Sequence, residues 1–151
     1  SLLDTCGAVT LPTGERIERH PDTIVIVTTN IGYEGCRSLN QSILSRMDLI
    51  MDMEEPDVDT LVKRVSGITG CKEGRLKIMA EIVTSIQQKC RMNMIDDGCC
   101  GVRELISWVQ SYMICGDLME AARYTILPSV SADAENRAEI MSTCIEPVLN
   151  V

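Results

Sequence analysis

The chain has no phenylalanine, and only one tryptophan and three tyrosines among its 151 residues. A core without large aromatics has to be built from Ile, Leu, Val, Met and Ala, which favours packed helices and small sheets. Long hydrophobic runs are missing as well, and a stretch such as Ile24 to Val27 is far too short to cross a bilayer. No charged-then-apolar signal segment opens the chain. These absences argue against membrane insertion and export, and a cytoplasmic location is the expectation. Positive charge is scarce: 14 Lys and Arg stand against 22 Asp and Glu, a net charge of -8. The basic residues are scattered, with none of the aromatic-interleaved patches that would neutralise phosphates, so nonspecific nucleic-acid binding is disfavoured. Eight cysteines are present, but none has the CxxC spacing of a zinc or redox site. They read as reduced, small core residues. Finally, no GxxxxGK[ST] loop occurs, so the chain has no phosphate cradle of its own.

What is present is enough apolar material, 45% of residues, for one domain or two small subdomains. Ser1 to Asp4 reads as the end of a helix. AVTL and ERIE follow as two short β-type runs joined by Pro12-Thr13-Gly14, where Pro fixes one turn residue and Gly permits positive φ at another, so a β-hairpin is predicted. Thr23 to Thr29 reads as a strand covered on both faces. A short helix from about Leu39 to Arg46 precedes a second strand from about Leu49 to Met53.

After Glu54-Glu55-Pro56 everything reads as helix. Asp57 caps a first helix carrying Val58, Leu61, Val62, Val65 and Ile68, with Gly67 and Gly70 where it should end. A second carries Leu76, Met79, Ile82, Val83 and Ile86. The turn Asp96-Asp97-Gly98 leads to a third with Val102, Leu105, Ile106, Val109 and Met113, halted near Gly116. A fourth runs from about Leu118 to Thr125, with Pro128 as its end. Ser131 or Asp133 begins a fifth, with Ala134, Ala138, Met141 and Ile145 on one face. The expected class is mixed α/β and mostly helical, with residues 1–54 as the last piece of an α/β domain and residues 57–151 as a helical domain. Two parallel strands cannot make a sheet core alone, so the sequence is expected to be a fragment of a longer protein.

The hairpin, the apolar strand ending Thr28-Thr29-Asn30, GYEG at 32–35, LN at 39–40 and SRMD at 45–48 occur in the order and spacing of the MoxR-like branch of AAA+ ATPases. The chain resembles the C-terminal part of such a protein, the end of the nucleotide-binding core followed by the helical lid. The resemblance implies three roles. Asn30 matches sensor 1, whose amide offers both a donor and an acceptor to position water beside the γ-phosphate. Arg46 matches the arginine finger, an always-charged fork that reaches a neighbouring subunit's nucleotide. GVRELISWVQ resembles the sensor 2 helix, with Arg103 in its first turn to bind the γ-phosphate from the lid. Plainer readings exist for each: a strand cap for Asn30, a surface ion pair with Asp48 for Arg46, and a solvent-facing helix residue for Arg103. Arg37 is a second finger candidate.

By resemblance, the parent forms a homo-oligomeric ring, most often a hexamer. It uses ATP and Mg²⁺ for chaperone-like remodelling or maturation of protein partners, among them proteins with a von Willebrand factor A domain. The hairpin at residues 9–18 would project toward the pore and touch that partner, or only cover the core. Neither GITGCKEG at 67–74 nor LIMDMEE at 49–55 fits a nucleotide loop or a Mg²⁺-binding strand; the latter follows the finger position and is read as the last strand of the sheet. This chain alone is therefore expected neither to bind ATP tightly nor to hydrolyse it. Alternatives are another AAA+ machine such as a helicase or dynein-related remodeller, a non-enzymatic helical adaptor, and a thiol sensor using Cys99 and Cys100.

Overall fold

The computed structural model describes residues 2–4, 7–29, 39–95 and 97–150. It divides into two compact units, Ser1–Glu54 and Glu55–Val151. The described residues are mostly helical, with one small antiparallel sheet.

In the first unit, residues 2–4 form a turn rather than the end of a helix. The hairpin pairs β1 (Ala8–Thr10) with β2 (Arg16–Glu18), Val9 lying opposite Ile17. Its connection is closed by the Leu11 N–H to the Glu15 carbonyl (2.8 Å) and by the Gly14 N–H to the Leu11 carbonyl (2.9 Å). Gly14 has φ +85, a conformation that a residue without Cβ takes up freely. Helix α1 (Gln41–Leu44) is shorter than its periodicity suggests, and Asn40 caps it by accepting the Ser42 N–H.

The two apolar runs expected as parallel strands are not strands here. Neither 23–29 nor 49–53 belongs to a ladder, and both expose their side chains, with Ile24 at 84% and Met53 at 86%. A strand buried on both faces needs neighbours on its hydrogen-bonding edges and helices above and below. Among the described residues, the only sheet is the hairpin, so nothing supplies those edges.

The second unit has its own core. Helix α2 (Val58–Thr69) begins at Asp57, whose carboxylate accepts the Thr60 N–H at 2.8 Å, and ends at Gly70 in the left-handed region. Gly67 lies inside this helix rather than at its end. Helix α3 (Glu73–Asn93) packs on α2, and α4 (Val102–Cys115) packs on both. Helix α5 (Leu118–Tyr124) is capped by Asp117, and α6 (Ile126–Val130) follows after a break at Thr125. Pro128 does not end a helix, because it sits in the first turn of α6, where its missing N–H has no intrahelical acceptor to lose. Helix α7 (Ala134–Ile140), capped by Asp133, runs into a π-helical segment at Met141–Ile145 and then α8 (Glu146–Leu149). The widened turn, with the Glu146 N–H bonded to the Met141 carbonyl, comes immediately before Pro147, which has no N–H to donate.

Leu61, Val65, Leu76, Met79, Ile82, Val83, Ile86, Leu105, Ile126, Ile140 and Ile145 form the apolar centre. The lone tryptophan lies among them: Trp108 is fully buried, and its Nε1 donates to the Leu118 carbonyl at 2.9 Å. That bond satisfies the one polar atom of the indole and ties α4 to the start of α5. Ile68 and Met113 fit the helical period yet are exposed, which places them at the edge of their apolar stripes. No helix among the described residues is long and apolar enough to cross a membrane.

Candidate functional site

Of the three residues singled out by the motifs, Asn30 lies outside the described residues, as do Arg37 and the GYEG segment. Arg46 and Arg103 belong to different units, and each is described in its own.

Arg46 follows α1, in the turn closed by its own N–H to the Ile43 carbonyl. Its guanidinium points back into the first unit. Nε donates to the Asp4 carboxylate at 2.5 Å, and Nη1 donates to the Ser42 carbonyl and to the Ser42 hydroxyl. The ion pair is therefore with Asp4, 42 residues away in sequence, and not with the adjacent Asp48. The Arg46 hydrogen bond holds the Asp4 carboxyl below its ordinary pKa. Both side chains remain about a third exposed, so the pair is a surface one, screened by solvent and weak. Such a contact holds Arg46 in one place without committing it there.

Arg103 is the second residue of α4, and its side chain is exposed. Among the described residues it makes no hydrogen bond or ion pair. Its position is electrostatically unfavourable, because the N-terminus of a helix carries partial positive charge and favours anions. Its neighbour Glu104 has the complementary sign and accepts the Gly101 N–H at 2.8 Å. The first turn of α4 is thus closed by Glu104, and Arg103 is left without a hydrogen-bond or ion-pair partner among the described residues.

The cysteines of the same region are not primed for reaction. Burial pushes the Cys99 thiol up, with the Glu104 carboxylate adding to the shift, and burial pushes Cys100 up strongly. A sensor thiol needs the opposite, a stabilised thiolate, so the structure counts against that reading. Cys71, Cys90, Cys99, Cys100, Cys115 and Cys144 are all free thiols, while Cys6 and Cys36 lie outside the described residues. Among the described residues, no group of three or more His, Cys, Asp or Glu side chains is arranged to hold a metal ion.

A polar junction in the second unit carried no motif. Asp97 accepts from the Ser131 hydroxyl (2.9 Å) and the Ala132 N–H (2.8 Å), and these bonds hold its carboxyl below the ordinary range, the Ala132 bond contributing most. Arg137 Nη1 donates to the carbonyls of Ser131 (3.0 Å) and Ala132 (2.7 Å). The only sequence signal for this junction is the Asp-Gly turn, which gives no indication of what it meets. No protein-family model matches the chain, and no curated protein is significantly similar to it.

Proposed function

We propose that the chain supplies the sensing and coupling part of a MoxR-like AAA+ ATPase, with Asn30 as sensor 1, Arg46 as the arginine finger and Arg103 as sensor 2. The parent would be a ring, working on protein partners with ATP and Mg²⁺, and its remodelled partner would include proteins of the von Willebrand factor A type. The observation that carries this reading is the pair of exposed apolar segments, 24–27 and 49–53, that join no ladder among the described residues. They flank Asn30 and Arg46, and their composition suits strands completed by others in a parallel sheet. Two further observations support it. Among the described residues Arg103 makes no hydrogen bond or ion pair, and in the first turn of its helix an anion would relieve an unfavourable charge. The ion pair of Arg46 is a surface one, and Arg46 also donates to Ser42 of its own turn, so exchanging Asp4 for another anion would leave those bonds in place.

On this reading Asn30, Arg46 and Arg103 do not form a nucleotide site alone. Their contribution would be single contacts to a site whose loop and metal-binding carboxylates come from other sequence. A second reading, a helical interaction module without enzymatic activity, draws on the self-contained core of the second unit.

The test is on a protein that carries the nucleotide loop ahead of these residues. Asn30→Ala should leave ATP binding within about threefold of the parent while lowering turnover at least about a hundredfold, because a water-positioning group acts mainly in the transition state. Unchanged turnover would remove Asn30 from the mechanism and favour the interaction module.

A further inference from the structure

The second unit contains a groove of about 300 Å³ lined by Arg123, Leu127, Pro128, Arg137, Ala138 and Met141. It lies between α5–α6 on one side and α7 with the π-helical segment on the other. Leu127, Pro128, Ala138 and Met141 make its surface apolar, and it holds two guanidinium groups in a chain of net charge -8.

Those two groups are in different states, and both are suited to binding an anion. Arg137 is fixed in place, because Nη1 uses its two N–H groups on the carbonyls of Ser131 and Ala132. A guanidinium has five N–H donors, and the other three of Arg137 meet no acceptor among the described residues. Arg123, in the last turn of α5, makes no hydrogen bond or ion pair among the described residues. The nearby carboxylates do not neutralise them. Glu120 and Glu135 pair with neither arginine, and Glu139 is held by Lys89 (2.7 Å) and Asn93 (3.2 Å). A pre-positioned Arg fork beside an apolar surface matches a carboxylate next to an apolar side chain. The volume lies at the lower limit of small-molecule sites, enough for one apolar side chain but short for an extended acyl chain.

We propose that this groove binds an acidic peptide segment, its carboxylate held by Arg123 and Arg137 and its adjoining apolar side chain seated on Leu127, Pro128 and Met141. The site stands independently of the ATPase reading, since none of its residues takes part in that one.

The experiment is fluorescence anisotropy on the 151-residue chain with a labelled peptide of four Leu-Glu repeats, with Trp108 emission verifying the fold of each variant. Saturable binding is expected. Arg123→Ala and Ala138→Glu, which remove a donor and fill the groove, should each weaken it at least about tenfold, whereas Arg103→Ala should leave it unchanged. A peptide with Ser in place of Leu should also bind about tenfold more weakly. Failure to saturate by about 1 mM would overturn the site, as would equal binding by the Arg123→Ala and Ala138→Glu chains. So would decanoate saturating the groove when the peptide does not, since that would make it a site for free amphiphiles.

Discussion

Gly98 shows how far one residue constrains the second unit. A Cβ built there would lie 2.2 Å from the Val130 carbonyl oxygen and 2.4 Å from that of Ser129, both backbone atoms at the end of α6. The adjoining Cys99 N–H donates to the same Ser129 carbonyl at 2.7 Å, so the chain cannot move away without breaking that bond. Gly98→Ala should therefore destabilise the protein by about 1–3 kcal/mol or more, read as a fall in the urea midpoint of Trp108 fluorescence. An unchanged midpoint would mean that the two segments are not in contact. Gly67 is the counter-case. It sits inside α2 with nothing within 4 Å of its would-be Cβ, and Gly67→Ala should stabilise by up to about 1 kcal/mol in the same assay.

Asp97 gives the same junction a pH dependence. Its carboxyl is held below the ordinary range by the Ala132 N–H and then by the Ser131 hydroxyl, so the folded state favours the ionised form. A depressed carboxylate contributes stability that is complete above its unfolded-state pKa and is lost as pH falls through the folded value. Glu139, lowered by Lys89, acts in the same direction. The urea midpoint should thus fall on acidification below about pH 4, and Asp97→Asn should lower it at pH 7 and flatten that fall. A variant with the parent's full acid dependence would exclude Asp97 as a contributor.

At the scale of elements, what could be read from the sequence depended on whether the signal was local. Asp57 and Asp133 cap their helices through their own side chains, and Gly70 and Gly116 end theirs with positive φ. The hairpin was equally legible from Pro12-Thr13-Gly14. Periodicity misjudged Pro128 because a proline ends a helix from within but is tolerated in a first turn. The two apolar runs were read as strands because β-branched composition reports what a segment can bury, not what covers it. The candidate site was less legible. The motifs singled out Arg46 and Arg103, but the Asp4 partner of Arg46 and the junction of Asp97 with Ser131 join residues more than 30 positions apart, and no local pattern encodes them. The two exposed runs carry their own prediction. Amides in 24–27 and 49–53 should exchange with solvent far faster than those of α3 and α4, since those residues are exposed and join no ladder among the described residues. Protection equal to that of α4 would reveal pairing that the structure does not contain.

At the scale of the whole molecule, the two units differ in what they can support alone. Glu55–Val151 buries a continuous core around Trp108, whereas the described residues of Ser1–Glu54 contribute a two-stranded hairpin, one short helix and apolar segments open to solvent. A hairpin alone is marginally stable in water, and the first unit therefore gains most from added strands. On the proposed reading those strands come with a nucleotide loop, and Arg46 acts across a subunit boundary. The decisive measurement is ATP turnover in mixtures of two inactive variants of that longer protein, one carrying Arg46→Ala and the other a disabled nucleotide loop but an intact Arg46. Each alone should be inactive, and mixing should restore a substantial fraction of turnover, since intact sites then meet intact arginines from their neighbours. Full turnover by the Arg46→Ala protein alone, or mixtures as inactive as their components, would contradict a role for Arg46 in a neighbour's site.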